Sequence, residues 1–112
     1  MDKEVLSIPI FIDSRGSGEA DLAELLKEKY NLAVEVRHID SGDIVIGEIG
    51  IERKTVNDLI NSVMGENRHF WEQIKVLKNT YKKPLLIVEG PFTYKDKWIS
   101  GVLYSVFLGW GI

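Results

Sequence analysis

Cysteine is missing from all 112 residues of this chain, so it forms no disulfide and offers no thiolate to a metal. No stretch approaches about 18 consecutive apolar residues, which argues against a membrane-spanning helix. A secretory pattern is also absent. Met1-Asp2-Lys3-Glu4 is charged, and the apolar run behind it is short and holds Pro9. Net charge is small, at −3, and gives no general signal for nucleic acid. There is no internal repeat and no low-complexity segment. What is present is 45% apolar content, enough for one packed domain at this length. The expected setting is cytoplasmic, of prokaryotic type, or nucleoid-associated, and not secreted.

Charge is unevenly placed. Arg68, Lys75, Lys78, Lys82 and Lys83 face only Glu72 between positions 68 and 83, whereas the first 28 residues hold seven acids. One region could therefore meet phosphates although the whole chain is acidic.

Ser7 to Ile12 predicts a strand running into a glycine-containing loop, with Pro9 at an early or edge position. Glu19 to Tyr30 predicts a helix with Leu22, Leu25 and Leu26 inward, capped by Ser17 or Gly18 and ended by Asn31. Ala33 to His38 alternates as a strand. Thr55 opens a further helix as N-cap, with Asp58 three residues on and Leu59, Ile60 and Val63 as its apolar side. After a break at 65–67, a helix from about Arg68 to Tyr81 turns Phe70, Ile74, Leu77 and Tyr81 inward, with Lys75, Lys78 and Lys82 on another face. Leu85 to Val88 is continuous and apolar and predicts a buried central strand. Trp98 to Leu108 predicts a last apolar helix, and Gly109 to Ile112 reads as the start of a further strand. The fold class is α/β, a mixed sheet flanked by helices.

The most informative segment is Gly42 to Lys54. Gly47-Glu48 suits a two-residue type II′ turn between alternating apolar runs. The register then pairs Ile46 with Ile49, Val45 with Gly50, Ile44 with Ile51 and Asp43 with Glu52. Ile44, Ile46, Ile49 and Ile51 share the core face; Asp43, Val45, Gly50, Glu52 and Lys54 share the other. Two facing carboxylates repel unless a proton or cation lies between them. Oxygen-only ligands suit Mg2+ or Mn2+. Acid, spacer, then acid-x-lysine is a pattern of metal-dependent phosphodiester hydrolysis: the acids hold the metal, and a lysine on the same face counters negative charge or orients water. Short Glu-x-Lys strings are common on solvated hairpins, and the register with the preceding Gly-Asp raises this one above them.

Gly42-Asp43, then Glu52-Arg53-Lys54-Thr55-Val56-Asn57-Asp58, closely resembles the signature of the XPF/Hef structure-specific nuclease family. The resemblance extends to Asp13-Ser14-Arg15, Gln73, Lys82-Lys83-Pro84, Leu85 to Glu89 and the last helix near Gly101, nearly the whole chain. It implies a restriction-endonuclease-like fold and a dimeric enzyme that cuts branched, flapped or forked DNA with Mg2+ or Mn2+, in repair or replication-fork processing. It implies metal ligation by Asp43, Glu52 and the Arg53 backbone carbonyl, catalysis by Lys54, and Asp13 beside the site. Arg15, Arg53, Arg68, Lys75 and Lys78 are the expected DNA contacts. The chain departs from the family at Gly16, where an acid is usual, and at Arg68, one residue further from Gln73 than expected. Residues 1–112 are expected to be one nuclease domain without a helix-hairpin-helix module and short of a last strand and helix. Trp98, Tyr104, Phe107 and Trp110 are either core or a two-fold interface; because the resembled family dimerises and this segment is apolar nearly all round, the expectation is a homodimer through the last helix, with a heterodimer as the alternative. The rival readings are a catalytically silent DNA-binding or dimerisation partner of the same fold, and a stand-alone resolvase or restriction-type nuclease.

Overall fold

The computed structural model describes residues 8–15, 18–64, 69–91 and 97–112. Its elements are β1 (Ile10–Asp13), α1 (Glu19–Tyr30), β2 (Val34–Arg37), β3 (Ile44–Ile46), β4 (Ile49–Thr55), α2 (Val56–Met64), α3 (Phe70–Thr80), β5 (Lys83–Glu89) and α4 (Trp98–Tyr104), which continues into a π-helical segment, Ser105–Trp110. The strands form one mixed sheet in the order β2-β1-β3-β4-β5. β1 is parallel to β2, β4 is parallel to β5, and β3 runs against both of its neighbours.

The β3–β4 ladder pairs Ile44 with Ile51, Val45 with Gly50 and Ile46 with Ile49, the register that the Gly47-Glu48 turn predicts. Gly47 has φ +57° and Glu48 does not have positive φ, as a type II′ turn requires. Alternation then sends side chains to two cores. On one side, Ile10, Ile12, Ile44 and Ile51 pack with Ala23, Leu22 and Leu26 of α1. On the other, Leu86 and Val88 of β5 meet Val56, Leu59, Phe70, Ile74, Ile99 and Val106. The helix boundaries follow local chemistry. Asn31 ends α1 in the left-handed region, and its amide donates to the Leu26 carbonyl. Thr55 Oγ1 caps α2 by accepting from the Asp58 amide at 3.1 Å.

Several expectations are corrected. β1 starts at Ile10, so Asp13 is its last residue rather than a loop residue. Leu25 points outward, 48% exposed, because Ala23 takes the inward position with Leu22 and Leu26 beside it. β5 is not a central strand: it is the terminal strand among the described residues. Only its Leu86 and Val88 side meets helices, and Leu85 and Ile87 stay 45% and 41% exposed. Its unbroken apolar run therefore reflects a bare outer face, not double burial. The chain end starts no strand. Trp110 closes the π-helical segment, Gly111 caps it at φ +73°, and Ile112 packs back on the core. The break at 65–67, Gly16 and Arg68 lie outside the described residues.

Candidate active site

The regular ladder stops one pair short of the two acids. Asp43 lies just before β3, and its amide donates to the Ile51 carbonyl at 2.7 Å, not to its expected cross-strand partner. Gly42 makes this departure possible: its φ of +89° is a backbone conformation that L side chains rarely adopt, and an added Cβ would only touch the Ile51 carbonyl and Leu77 at 3.4 Å. The Asp43 carboxylate is then anchored from below. Its Oδ2 accepts from the Arg53 amide at 2.7 Å. Expected direct pairing of Asp43 with Glu52 is thus replaced by a bend, yet both line one cavity of about 520 Å³ with Asp13, Arg15 and Gln73.

Electrostatics single out the acids. Burial pushes the Asp43 carboxyl above its usual range, against the Arg53 amide and the Lys54 charge. Glu52 is buried on the sheet and pushed up to about 7, first by burial and then by the Asp43 charge, with Lys54 pulling the other way. Asp13 behaves differently. Burial works to raise it, but the Ile39 amide at 3.0 Å and Arg15, whose Nε lies 3.2 Å from both carboxylate oxygens, hold it below its usual value. Asp13 is thus a pre-satisfied anion, whereas Asp43 and Glu52 carry negative charge that the protein only partly compensates.

The remaining predicted residues divide by face. Lys54 follows Glu52 by two on β4 and so shares its side of the sheet, where its charge reaches both acids. Arg53 points to the opposite side. Its Nε donates to Glu89 Oε1 at 2.8 Å, and its Nη1 lies 3.6 Å from Glu19 at the start of α1. This side chain is a strut between β4, β5 and α1, turned away from the cavity that was to receive DNA. Arg15 lines the cavity, but its guanidinium also folds back on Asp13 and on the Ile39 carbonyl. Lys78 is turned from the DNA role too: its ammonium donates to the Trp110 carbonyl and closes the chain end. Lys75 is exposed and does not line the cavity, which α3 faces with His69, Gln73 and Val76.

Sequence reasoning passed over Asp40, Ser41 and Glu72 in the cavity wall, and Tyr81 as its support. Tyr81 Oη donates to the Ser41 carbonyl at 2.6 Å, tying the loop before Asp43 to the end of α3. Gly50, bare in the middle of a strand, was the available signal, because such a glycine marks a close approach. The Tyr81 ring sits against it. Glu89, the last residue of β5, is the partner of Arg53.

A divalent ion can be tested against this donor set. Asp43 and Glu52 supply hard oxygens whose mutual repulsion a cation would relieve, and the Gln73 Oε1 in the cavity wall has no hydrogen-bond partner among the described residues. Among the described residues no three His, Asp or Glu side chains converge to hold a metal by themselves. That suits Mg2+, which commonly takes one or two carboxylates and completes its shell with water and substrate phosphate.

Comparison with known proteins agrees with the fold. A family model described as the ERCC4 domain matches residues 12–105. The 3'-flap repair endonuclease Xpf of Saccharolobus solfataricus is 34% identical over 94% of this chain and 46% of its own length. The crossover junction endonuclease MUS81 of Arabidopsis thaliana is 23% identical over 84% of this chain and 17% of its own. The chain thus spans less than half the length of these curated relatives. The structure of XPF from Aeropyrum pernix superposes with a TM-score of 0.79 at 24% identity, over 93% of this chain and 50% of that one. The same protein in complex with DNA gives 0.76, over 93% and 53%. The sheet and its flanking helices are therefore a restriction-endonuclease-like fold. With Gly42, Asp43 and Glu52 of the two signature elements at one cavity and the domain match spanning most of its residues, this chain belongs to the ERCC4-domain family, as an XPF/Hef-type nuclease domain.

Proposed function

We propose that this domain is a divalent-metal-dependent endonuclease that hydrolyses phosphodiester bonds in flapped, forked or otherwise branched DNA. The observation that carries the reading is the under-compensated acid pair, half-buried Asp43 and buried Glu52, in the wall of an open cavity. Both relatives named above are structure-specific endonucleases by name.

Asp43, Glu52 and the Arg53 backbone carbonyl would hold one Mg2+ or Mn2+. The ion supplies Lewis-acid stabilisation of phosphoryl charge and makes an attacking water easier to deprotonate. The chain's own residues do the rest. Lys54, on the Glu52 side of β4, orients that water or counters charge building on the phosphate. Asp13, already satisfied by Ile39 and Arg15, fixes the wall of the cavity and helps order water there. Arg15, Arg68 and Lys75 approach the DNA backbone as phosphate contacts. The Arg53 guanidinium holds β4 in register with Glu89 and Glu19 and leaves its backbone free to serve the site. DNA is held chiefly by its backbone rather than read by base sequence. A second copy of the chain pairs through the last helix, whose Tyr104, Phe107 and Leu108 are 67%, 66% and 74% exposed.

The test is cleavage of flap, fork and linear duplex DNA with Mg2+, beside Asp43→Asn. Cutting confined to branched DNA, lost by more than about 100-fold in the variant, is expected. Cutting of plain duplex at a sequence favours a restriction-type nuclease, and binding without cutting favours the silent partner.

A further inference from the structure

A second cavity, of about 490 Å³, adjoins the first and shares Asp40, Ser41 and Val76 with it. Its floor is the sheet: Phe11 of β1 pairs with Val45 of β3, and both project to the side that carries Asp43. Val45 lies two residues from Asp43, about 7 Å along the chain. That is about two base rises along the axis of a stacked DNA strand, so a strand leaving the acid pair reaches this groove within one or two nucleotides.

The lining carries one arginine, Arg37, and is not a basic patch. Asp40 stands at the junction of the two cavities, 2.8 Å from His38. A phosphate would meet that carboxylate, whereas the amino edge of a base could donate to it. Part of the wall is apolar or flat, including Phe11, Val45, Val76 and the Tyr81 ring, and part is polar, with Ser41 and Thr80 beside the charged groups. Over Phe11 lies the Arg37 guanidinium, 4.4 Å from the ring centre. Arg37 itself is exposed, so it can present its outer side to the groove. A guanidinium already steadied on an aromatic ring is a platform on which an unpaired base stacks. The cavity is in the size range that encloses a single small ligand.

We propose that the groove formed by Phe11, Arg37, His38 and Tyr81 is a nucleobase subsite, which takes one unpaired base of the DNA strand emerging from the acid pair and stacks it on Arg37. The inference rests on the endonuclease reading and adds to it a reason for preferring branched DNA: only a strand free of its partner can offer a base to the groove. Stacking is tolerant of sequence, so the subsite recognises strandedness rather than a base identity.

The experiment places single abasic sites at each of the three nucleotides on either side of the cut in a flap substrate. It compares wild type, Arg37→Ala and Arg37→Lys. In parallel, 2-aminopurine at the same positions reports stacking in the Asp43→Asn variant. One position should raise KM by about 5- to 100-fold when its base is removed, with kcat little changed. Arg37→Ala should give a similar loss on the intact flap and no further loss on the abasic one. Arg37→Lys, which keeps the charge and loses the plane, should not restore binding. Quenching of 2-aminopurine at that position should disappear with Arg37→Ala in the Asp43→Asn background. Normal cutting that ignores abasic sites everywhere, or full rescue by lysine, overturns the subsite and leaves the endonuclease reading standing. Quenching that depends on Arg37 in a protein that cuts nothing supports the subsite and removes the enzyme.

Discussion

Gly50→Ala should unsettle the acid pair without touching it. A Cβ built at Gly50 would stand 2.5 Å from Tyr81 Cε2 and nearer still to Cδ2 and Cγ. Ring atoms at the end of α3 cannot yield by a small rotation, so the phenol must leave. Over-packing of this kind costs about 1–3 kcal/mol. Losing the Tyr81 hydroxyl bond to the Ser41 carbonyl, now 2.6 Å, adds about 1 kcal/mol. Gly50 does not sit at positive φ, so alanine returns about 0.5–1 kcal/mol through the unfolded chain. The net expectation is a loss of about 1–3.5 kcal/mol, roughly 5–15 °C in Tm for a domain of this size. Urea and thermal melts measure it, in the wild-type background and in Tyr81→Ala. With the ring gone, Gly50→Ala should be neutral or stabilising, since the two changes act on one contact. An equal loss in both backgrounds would refute the clash. Tyr81→Phe, which keeps the ring and drops the tether to Ser41, should lower cleavage more than stability.

Glu52→Gln should remove a pH dependence. The folded-state value of about 7 lies above the unfolded 4.5, so the folded protein binds the extra proton between them and stability falls as pH rises through that window. In chelator at pH 8 the Gln variant should be more stable than wild type by up to about 3 kcal/mol in urea melts, and unable to cut DNA. A parallel pH profile in both proteins would sink this. Asp13 runs the other way: with its value lowered, its contribution is present above about pH 4 and fades as pH falls further, and Asp13→Asn should flatten the acid limb of the melt. Thr55→Ala should cost about 1 kcal/mol through the lost cap on the Asp58 amide, and serine should restore most of it. Titrating Mn2+ into the wild type should release heat and raise Tm, and neither should occur with Asp43→Asn combined with Glu52→Gln.

The hairpin was legible because its pattern is local. Alternating isoleucines, a glycine at the only turn position and a period of two left one register open, and the structure adopts it. The bend at Asp43 was not legible, since it depends on Gly42, Leu77 and the Ile51 carbonyl meeting in space. Burial of Glu19 and its approach to Arg53 join residues 34 positions apart, beyond what composition or periodicity can report. Leu85 to Val88 misled for a physical reason: a strand dry on one side and bare on the other has the same letters as one dry on both. Lys78 looked like part of a basic face because helical spacing groups it with Lys75, while the acceptor it meets lies at the far end of the chain.

Glu52, Arg53 and Lys54 point to the site, away from it, and back again, and no turn or loop intervenes. The pleat of one strand therefore acts as the gauge of the candidate site's layout. Inserting or deleting a single residue between Ile49 and Lys54 would deliver the guanidinium to the acid pocket and thrust a carboxylate toward α1, inverting both sides at once. Only length changes in steps of two keep the parity. Homologues of this segment should accordingly vary in letters far more readily than in length, and an engineered insertion of one alanine should be more damaging than several substitutions.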